Sequence, residues 1–524
     1  MNKYISKMGV VFTALVTLTA CDLDTAPTTS LDADNTFKST TYADDVLRGT
    51  WSYVFNDGIT IQSVGLGAIL LNDDFMGSDC VKAKSYGFSD GYNLTAGYAR
   101  AQHVRFCWTM CYDAINNSNN VIAYVDNASG TQADKNRIKG QAYATRGFMY
   151  MMLASHYSFA IDKDPNAVCV PVYTEPTTLG TALSGNPASS VSEVYAQAVS
   201  DLKKAVELIP SDYSHGSAQA DQYKIDYTAA LGLLARTCLY ARQWEDAYTY
   251  ASQVLERNSY LMTEAEYKEG FNDYNNKEWL WAYTSTLDDC DGATVGWFKC
   301  NSLNGYGSLC VDPNFAAKFS EGDYRGDLFK QWGYTLQGGQ TIRLMNDKFK
   351  MVDEDNDLTN YALMRTSEIY LIKAEAAAHI NNKESEAREL LHDLQQARMK
   401  AGATAPAVTA TGNDLLEAIW MERRKELWGE GFALTDIIRN QKSVEREAHD
   451  VEGVTVYPKN DTSKDPVAQD PENPIIGEGH YTLKLPDGSA FTKNSIYYLY
   501  RILADEELQN QNLYTKYPKL SEYR

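Results

Sequence analysis

Residues 414–439 read DLLEAIWMERRKELWGEGFALTDIIR. The stretch predicts a helix, a glycine stop and the start of a second helix. Leu415, Ile419, Trp420, Arg423, Glu426 and Leu427 recur at helical spacing, so one stripe faces inward. Thr411 and Asp414 are placed to form a capping box, and Gly429 and Gly431 to supply a left-handed stop. Charge is interleaved with the apolar stripe instead of standing opposite it: Glu422, Arg423, Arg424, Glu426, Glu430, Asp436 and Arg439. Interleaving points to partly buried Arg–carboxylate pairs that hold two helices in one register. A surface helix laced by pairs four residues apart satisfies the same spacing.

Helices continue outward from this stretch. Tyr361–Lys400 predicts a helix pair turning at Asn381 and Asn382. Tyr227–Arg257 predicts another, in which Ala230, Leu234, Leu239 and Tyr240 lead into Trp244, Ala247, Tyr250 and Ala251. Small residues at these intervals let antiparallel helices approach closely, as in tetratricopeptide units. Further helices are expected at Thr40–Val54, at Ile138–Ala160 with Gly140, Ala144 and Gly147 on one side, and at Ser190–Pro210. Three inserts interrupt them, at about 56–98, 259–360 and 451–495; the first reads as loop, the second as mostly non-periodic, and the third carries five prolines and the hairpin-like TLKLPDGSAFT. The fold class is therefore mainly α: one domain over 40–524, built of tetratricopeptide-like repeats with long inserted loops and a few short strands. Inserts of this length fold back over one face of a repeat scaffold and build its binding surface.

The 524 residues carry a net charge of −21. So acidic a body repels phosphate backbones, which argues against nucleic acid as a partner and favours neutral ligands. Met1–Lys7 is basic and Met8–Ala20 is apolar but too short to span a bilayer, so residues 1–20 read as a signal peptide. The run ends Leu18-Thr19-Ala20-Cys21, which resembles the lipobox of bacterial lipoproteins and implies lipidation of Cys21, with 21–39 as a polar tether. A conventional cleavage site with an incidental Cys21 is the alternative. Several acyl chains on that cysteine would anchor the protein stably. Among the other cysteines, Cys290, Cys300 and Cys310 lie in loop-like sequence and are the pairing candidates. Cys107 and Cys111, one helical turn apart, suit neither a redox pair nor a zinc ribbon, and Cys238 reads as a buried thiol.

A pyranose offers apolar C–H faces and a polar rim, so it stacks on aromatic rings while amides and carboxylates bond its hydroxyls. The chain has 36 Tyr against 16 Phe. Tyr86, Tyr92 and Asn93 in the first insert, and Trp281, Tyr283, Trp297 and Tyr306 in the second, are the candidate ligand contacts. The run WLWAY also fits a buried strand, with Trp279 and Trp281 on one face and Leu280 on the other. Asp353–Asp357 suggests a calcium loop, but Leu358 stands where Gly is needed and Met364 where Glu is needed, so a solvated acidic turn fits better. Seven scattered histidines form no metal motif, and no nucleophile elbow, phosphate loop or dinucleotide fingerprint appears. No metal, cofactor or catalytic residue is expected. A glycoside hydrolase needs only two carboxylates across a cleft, which the sequence cannot single out.

Several motifs in order resemble the SusD/RagB family of outer-membrane nutrient-binding lipoproteins. After the lipobox come Thr36-Phe37-Lys38 with Gly49 and Tyr53, and then Ala142 to Tyr150 around Arg146. Glu193-Val194-Tyr195 with Asp201 follows, then Leu363 to Ala376 with Arg365, Glu368, Tyr370 and Glu375. The 414–439 charges come next, and last Leu503 to Glu507 with Asn510, Gln511 and Asn512. Ala433, Ser158, Arg501 and Leu503 depart from the usual pattern. The resemblance covers essentially the whole chain and makes Arg146, Arg365, Glu368 and Glu375 structural, alongside Arg423, Arg424, Glu426, Glu430, Asp436 and Arg439. It implies a lipid-anchored protein on the outer membrane, facing the cell exterior, without catalytic activity. Such a protein captures an oligo- or polysaccharide through aromatic rings on its inserts and passes it to a SusC-like TonB-dependent transporter. Peptide capture, as in RagB-like relatives, is the second reading.

Overall fold

The computed structural model describes residues 37–56, 65–82, 87–99, 102–284, 309–336, 339–350, 352, 360–448 and 479–521. Its long helices are α1 (Thr40–Asn56), α2 (Gly65–Met76), α3 (Gln102–Tyr124), α4 (Gln132–Tyr157), α5 (Val191–Leu208), α6 (Tyr227–Tyr240), α7 (Trp244–Arg257), α8 (Thr366–His379), α9 (Glu384–Ala397), α10 (Gly412–Glu426) and α11 (Ala433–Arg439). Successive helices pack on one another, α3 on α4, α4 on α5, α6 on α7, and α8 on both α9 and α10, while α7 meets α8 across the second insert and α11 packs on α2. The predicted helix pairs are present. Close approach has a visible cause, since a Cβ on Gly147 would meet the Leu202 side chain at 2.9 Å and one on Gly140 would meet Ile209 at 2.7 Å.

Local chemistry sets the helix ends. Ser190 and Glu193 form a reciprocal capping box at the start of α5, and Thr131 caps α4 through Asp134 N. The box expected at Thr411 and Asp414 does not form: Thr411 makes no side-chain cap bond, and Gly412, the first residue of α10, takes a left-handed φ of 55°. The Gly412 N–H donates to the Glu384 carboxylate on α9 instead. Gly429 and Gly431 do take positive φ, 76° and 84°, between α10 and α11.

Eight strands are described: β1 (Cys80–Lys82), β2 (Val168–Pro171), β3 (Ala188–Ser190), β4 (Trp279–Thr284), β5 (Leu309–Val311), β6 (Phe329–Leu336), β7 (Gly339–Asn346) and β8 (Asn360–Arg365). One antiparallel sheet has the order β1-β5-β7-β6; β2 pairs with β3, and β4 with β8. Five of the eight come from the stretch read as non-periodic, or from its edges.

Two readings need correction. The first insert is not all loop, because α2 crosses it. That helix buries every residue except Leu70, and a helix covered all round has no polar face to give a periodic signal. Asn360–Arg365, expected within a helix, is strand β8, held in antiparallel register with β4. Cys310 lies in β5 opposite Val81, while Cys290 and Cys300 fall outside the described residues. Cys107, Cys111 and Cys238 are buried free thiols.

Candidate ligand-binding site

Buried charge, as well as apolar packing, joins the helical repeats to the strands. Glu426, at the end of α10, accepts from Arg365 at 2.9 Å, from Arg398 at 2.8 and 3.0 Å, and from Arg325 at 2.8 Å. Glu278 shares Arg365 and Arg398, and Glu430 accepts from Arg365 at 2.6 Å and Lys348 at 2.6 Å. Beside it Arg423 pairs with Asp436 at 2.9 Å, and Arg439 bridges Asp436 to Glu375. Arg146 binds Asp201, Arg236 binds Glu368, and Arg424 binds Asp79. The structural residues expected from sequence are thus all paired, and all but the half-buried Arg424 are buried, more deeply than the partial burial expected of the 414–439 pairs. Glu278, Arg325, Lys348 and Arg398 were missed, because each comes from irregular sequence or from the last turn leaving α9.

The electrostatics of this network suit a scaffold. Burial alone would push the Glu426 carboxyl up, but Arg398, Arg365 and Arg325 outweigh it and hold it well below the usual carboxylate range. Glu430, Asp436 and Glu375 are likewise lowered by their guanidinium or ammonium partners against burial. A general acid needs the opposite shift, so these carboxylates are not poised to deliver protons.

The candidate ligand contacts do not converge. Trp281 is 1% exposed, donates to Tyr223 O at 2.9 Å and packs edge-on against Trp51 and Phe148. Tyr283 stacks on Phe55 at 3.8 Å and is buried. These two are core residues: all of β4 is buried, and alternation alone cannot tell a covered strand from an exposed stacking face. Tyr92 is buried too, its hydroxyl 2.8 Å from His480 Nδ1 and its ring under the Arg446 guanidinium. Asn93 is half-buried and accepts from Thr482 at 2.6 Å, so this part of the first insert is tied to the end of the third. Tyr86, Trp297 and Tyr306 lie outside the described residues, as do Cys21 and the acidic run Asp353–Asp357.

What the fold does open is a half-enclosed cavity of about 320 Å³ at α3, a size at the lower end of ligand sites, which span ~300–1,000 Å³. Tyr112 and Asn116 of α3 form its floor with Tyr173, which follows β2. The short helix Leu179–Ser184 and the short helix Ala504–Gln509 form its walls. Tyr112 donates to Pro171 O at 2.7 Å, and its ring meets Tyr173 edge-on at 5.9 Å. Buried Asn119 ties the floor down, accepting from Arg146 at 2.7 Å and donating to Tyr173 O and Glu175 O. Among the described residues no Lys, Arg or His lines the cavity. Sequence reasoning missed it because its walls lie about 325 residues apart and neither is aromatic. Among the described residues no group of three or more His, Cys, Asp or Glu could hold a metal ion.

A family model described as "Starch-binding associating with outer membrane" matches residues 23–239. A crystal structure described as a SusD-like carbohydrate binding protein from Bacteroides vulgatus is 44% identical. It covers 93% of this chain and 99% of its own, with a TM-score of 0.83. The chain belongs to the SusD-like family. A putative sugar binding protein from Bacteroides vulgatus shares the SusD-like fold at 24% identity, over 91% of this chain and 98% of its own, with a TM-score of 0.73. A SusD-like protein of Formosa agariphila is 24% identical over 357 residues, 58% of this chain and 67% of that one. The mainly α, repeat-based fold expected from the sequence is the SusD-like fold.

Proposed function

We propose that this SusD-like protein is a cell-surface glycan-binding lipoprotein, lipidated at Cys21 after loss of residues 1–20. It captures an oligo- or polysaccharide and delivers it to a SusC-like TonB-dependent transporter. It does so as a binding protein, not as an enzyme. The observation that carries the reading is the 44% identity to a carbohydrate binding protein along nearly the whole chain. The cavity at α3, lined by tyrosine rings, amide, hydroxyl and carboxylate groups and by no cation among the described residues, has the chemistry that suits a neutral polyol and supports the same reading. Tyr86, Trp297 and Tyr306 are the insert aromatics we propose as stacking residues. No helix among the described residues is long and apolar enough to cross a membrane, so the anchor we propose is the lipid.

Calorimetric titration of the soluble chain, starting after Cys21, against neutral oligosaccharides and oligopeptides tests the reading. Saturable glycan binding, weakened at least tenfold in W297A, is expected. Binding to peptides alone would move the assignment to RagB-like peptide capture. Turnover of any glycan would contradict the non-enzymatic reading.

A further inference from the structure

The cavity at α3 differs in kind from an arc of stacked rings on an insert. It is a recess with a closed floor, built from described elements of the scaffold. Three groups face it with hydrogen-bonding capacity left over. Tyr173 Oη accepts from Asn186 N at 3.0 Å but has no acceptor for its own proton among the described residues. Asn116 Oδ1 accepts from Thr177 N at 2.9 Å, which leaves its Nδ2 as a donor. Glu506 Oε1 accepts from Asn510 Nδ2 at 2.8 Å, which leaves Oε2 as an acceptor. Burial, with the Glu506 charge nearby, raises the Tyr173 phenol, so the hydroxyl keeps its proton for donation.

Two donors and one acceptor lining one cavity complement vicinal hydroxyls, each of which both gives and takes a hydrogen bond. Volume limits what enters, since about 320 Å³ suits a single ring and not a run of a polymer. The apolar part comes from the Tyr112 and Tyr173 rings and from Ile115 and Ala182, which line the cavity. The two short helices also carry exposed apolar side chains, Leu179, Leu183 and Leu508.

Charge sets the remaining limit. Glu506 and Asp113 both line the cavity, and no cation does. A sugar carboxylate or sulfate placed there meets a like charge in a partly water-excluded space, where screening is weakest.

We propose that this cavity is a second glycan site, apart from the insert aromatics, that takes one neutral pyranose residue at a chain end or branch and rejects uronic-acid and sulfated sugars. The inference rests on the glycan-binding reading and adds where one contact is made and which sugars it refuses.

The test uses the full soluble chain and three proteins: wild type, A182W and E506Q. Ala182 is exposed on a wall and lines the cavity, so tryptophan there fills the recess without touching the core. Circular dichroism confirms that each variant folds. Each is titrated with neutral hexose oligosaccharides and with oligogalacturonates of equal length. We expect neutral oligosaccharides to bind wild type, A182W to weaken them at least tenfold, and oligogalacturonates to bind at least tenfold more weakly than neutral chains. E506Q should narrow that last gap, since glutamine keeps the Oε1 bond to Asn510 and removes the charge. Neutral binding unchanged in A182W would overturn the site while leaving the glycan reading intact, as would equal binding of oligogalacturonates to wild type. Binding of no oligosaccharide by any of the three would overturn both.

Discussion

Glu426 holds three guanidinium groups around one fully buried carboxylate, so its removal leaves Arg325, Arg365 and Arg398 repelling one another. E426Q keeps the volume and loses the charge. Breaking a buried pair from one side costs ~3–5 kcal/mol, and we expect a loss of that order in urea unfolding. The double variant E426Q/R398M should recover part of it, which a simple cavity effect would not do. Asp312 is the opposite case. Burial pushes its carboxyl from the ordinary 3.8 up to about 7, with Asp79 adding to the shift, and its Oδ1 is buried without a hydrogen-bond partner. A carboxyl whose pKa is raised on folding stabilises fully below its unfolded value, and that stability is lost as pH rises through the folded one. Wild type should therefore lose about 1–3 kcal/mol between pH 4 and pH 8 relative to D312N, whose amide still caps the following turn through Phe315 N. Thermal midpoints of the two proteins across that range check the slope; parallel curves would remove the assignment.

At the scale of elements, the α10–α11 junction depends on two glycines with different neighbours from those of an ordinary turn. Gly431 sits at φ 84°, and a Cβ there would lie 2.5 Å from Leu70 Cβ and 2.8 Å from Leu70 Cα on α2. Gly402 has a similar φ, 81°, with nothing within 4 Å. G402A isolates backbone strain and should cost about 1 kcal/mol. G431A adds steric overlap with a buried helix and should cost about 2–4 kcal/mol, read as the difference in denaturant midpoint. Legibility at this scale followed amphipathicity. The hairpins α6–α7 and α8–α9 were readable because α7 and α9 each keep a polar face, although α6 is buried from Ala229 to Tyr240. Helix α2 was not, since Leu66, Ile69, Leu71 and Phe75 point to all sides and its acids are buried. Nor was β8, whose residues ALMR are as compatible with helix as with strand and are set by pairing with β4 almost eighty residues upstream.

Over the whole molecule, sequence patterns located the scaffold far better than the ligand contacts. Arg423 and Arg439 were legible because a cation interleaved with an apolar helix face needs a partner, whereas Arg146 and Arg365 were legible only through the family resemblance. Trp281 and Tyr283 misled because a sugar platform and a hydrophobic core use the same rings, and only burial separates them. The cavity at α3 left no signal, since its floor is an ordinary stretch of helix and its walls are two short helices from opposite ends of the chain. The account's central claim is that a rigid, charge-locked helical frame presents a glycan site beside its repeats. Hydrogen exchange of the soluble chain, with and without a neutral oligosaccharide that binds it, tests this most directly. The account predicts slowed exchange in peptides covering 112–119, 173–185 and 504–510, with α6 to α9 unchanged. Protection confined to the α6–α9 hairpins, or no protection under saturating oligosaccharide, would contradict it.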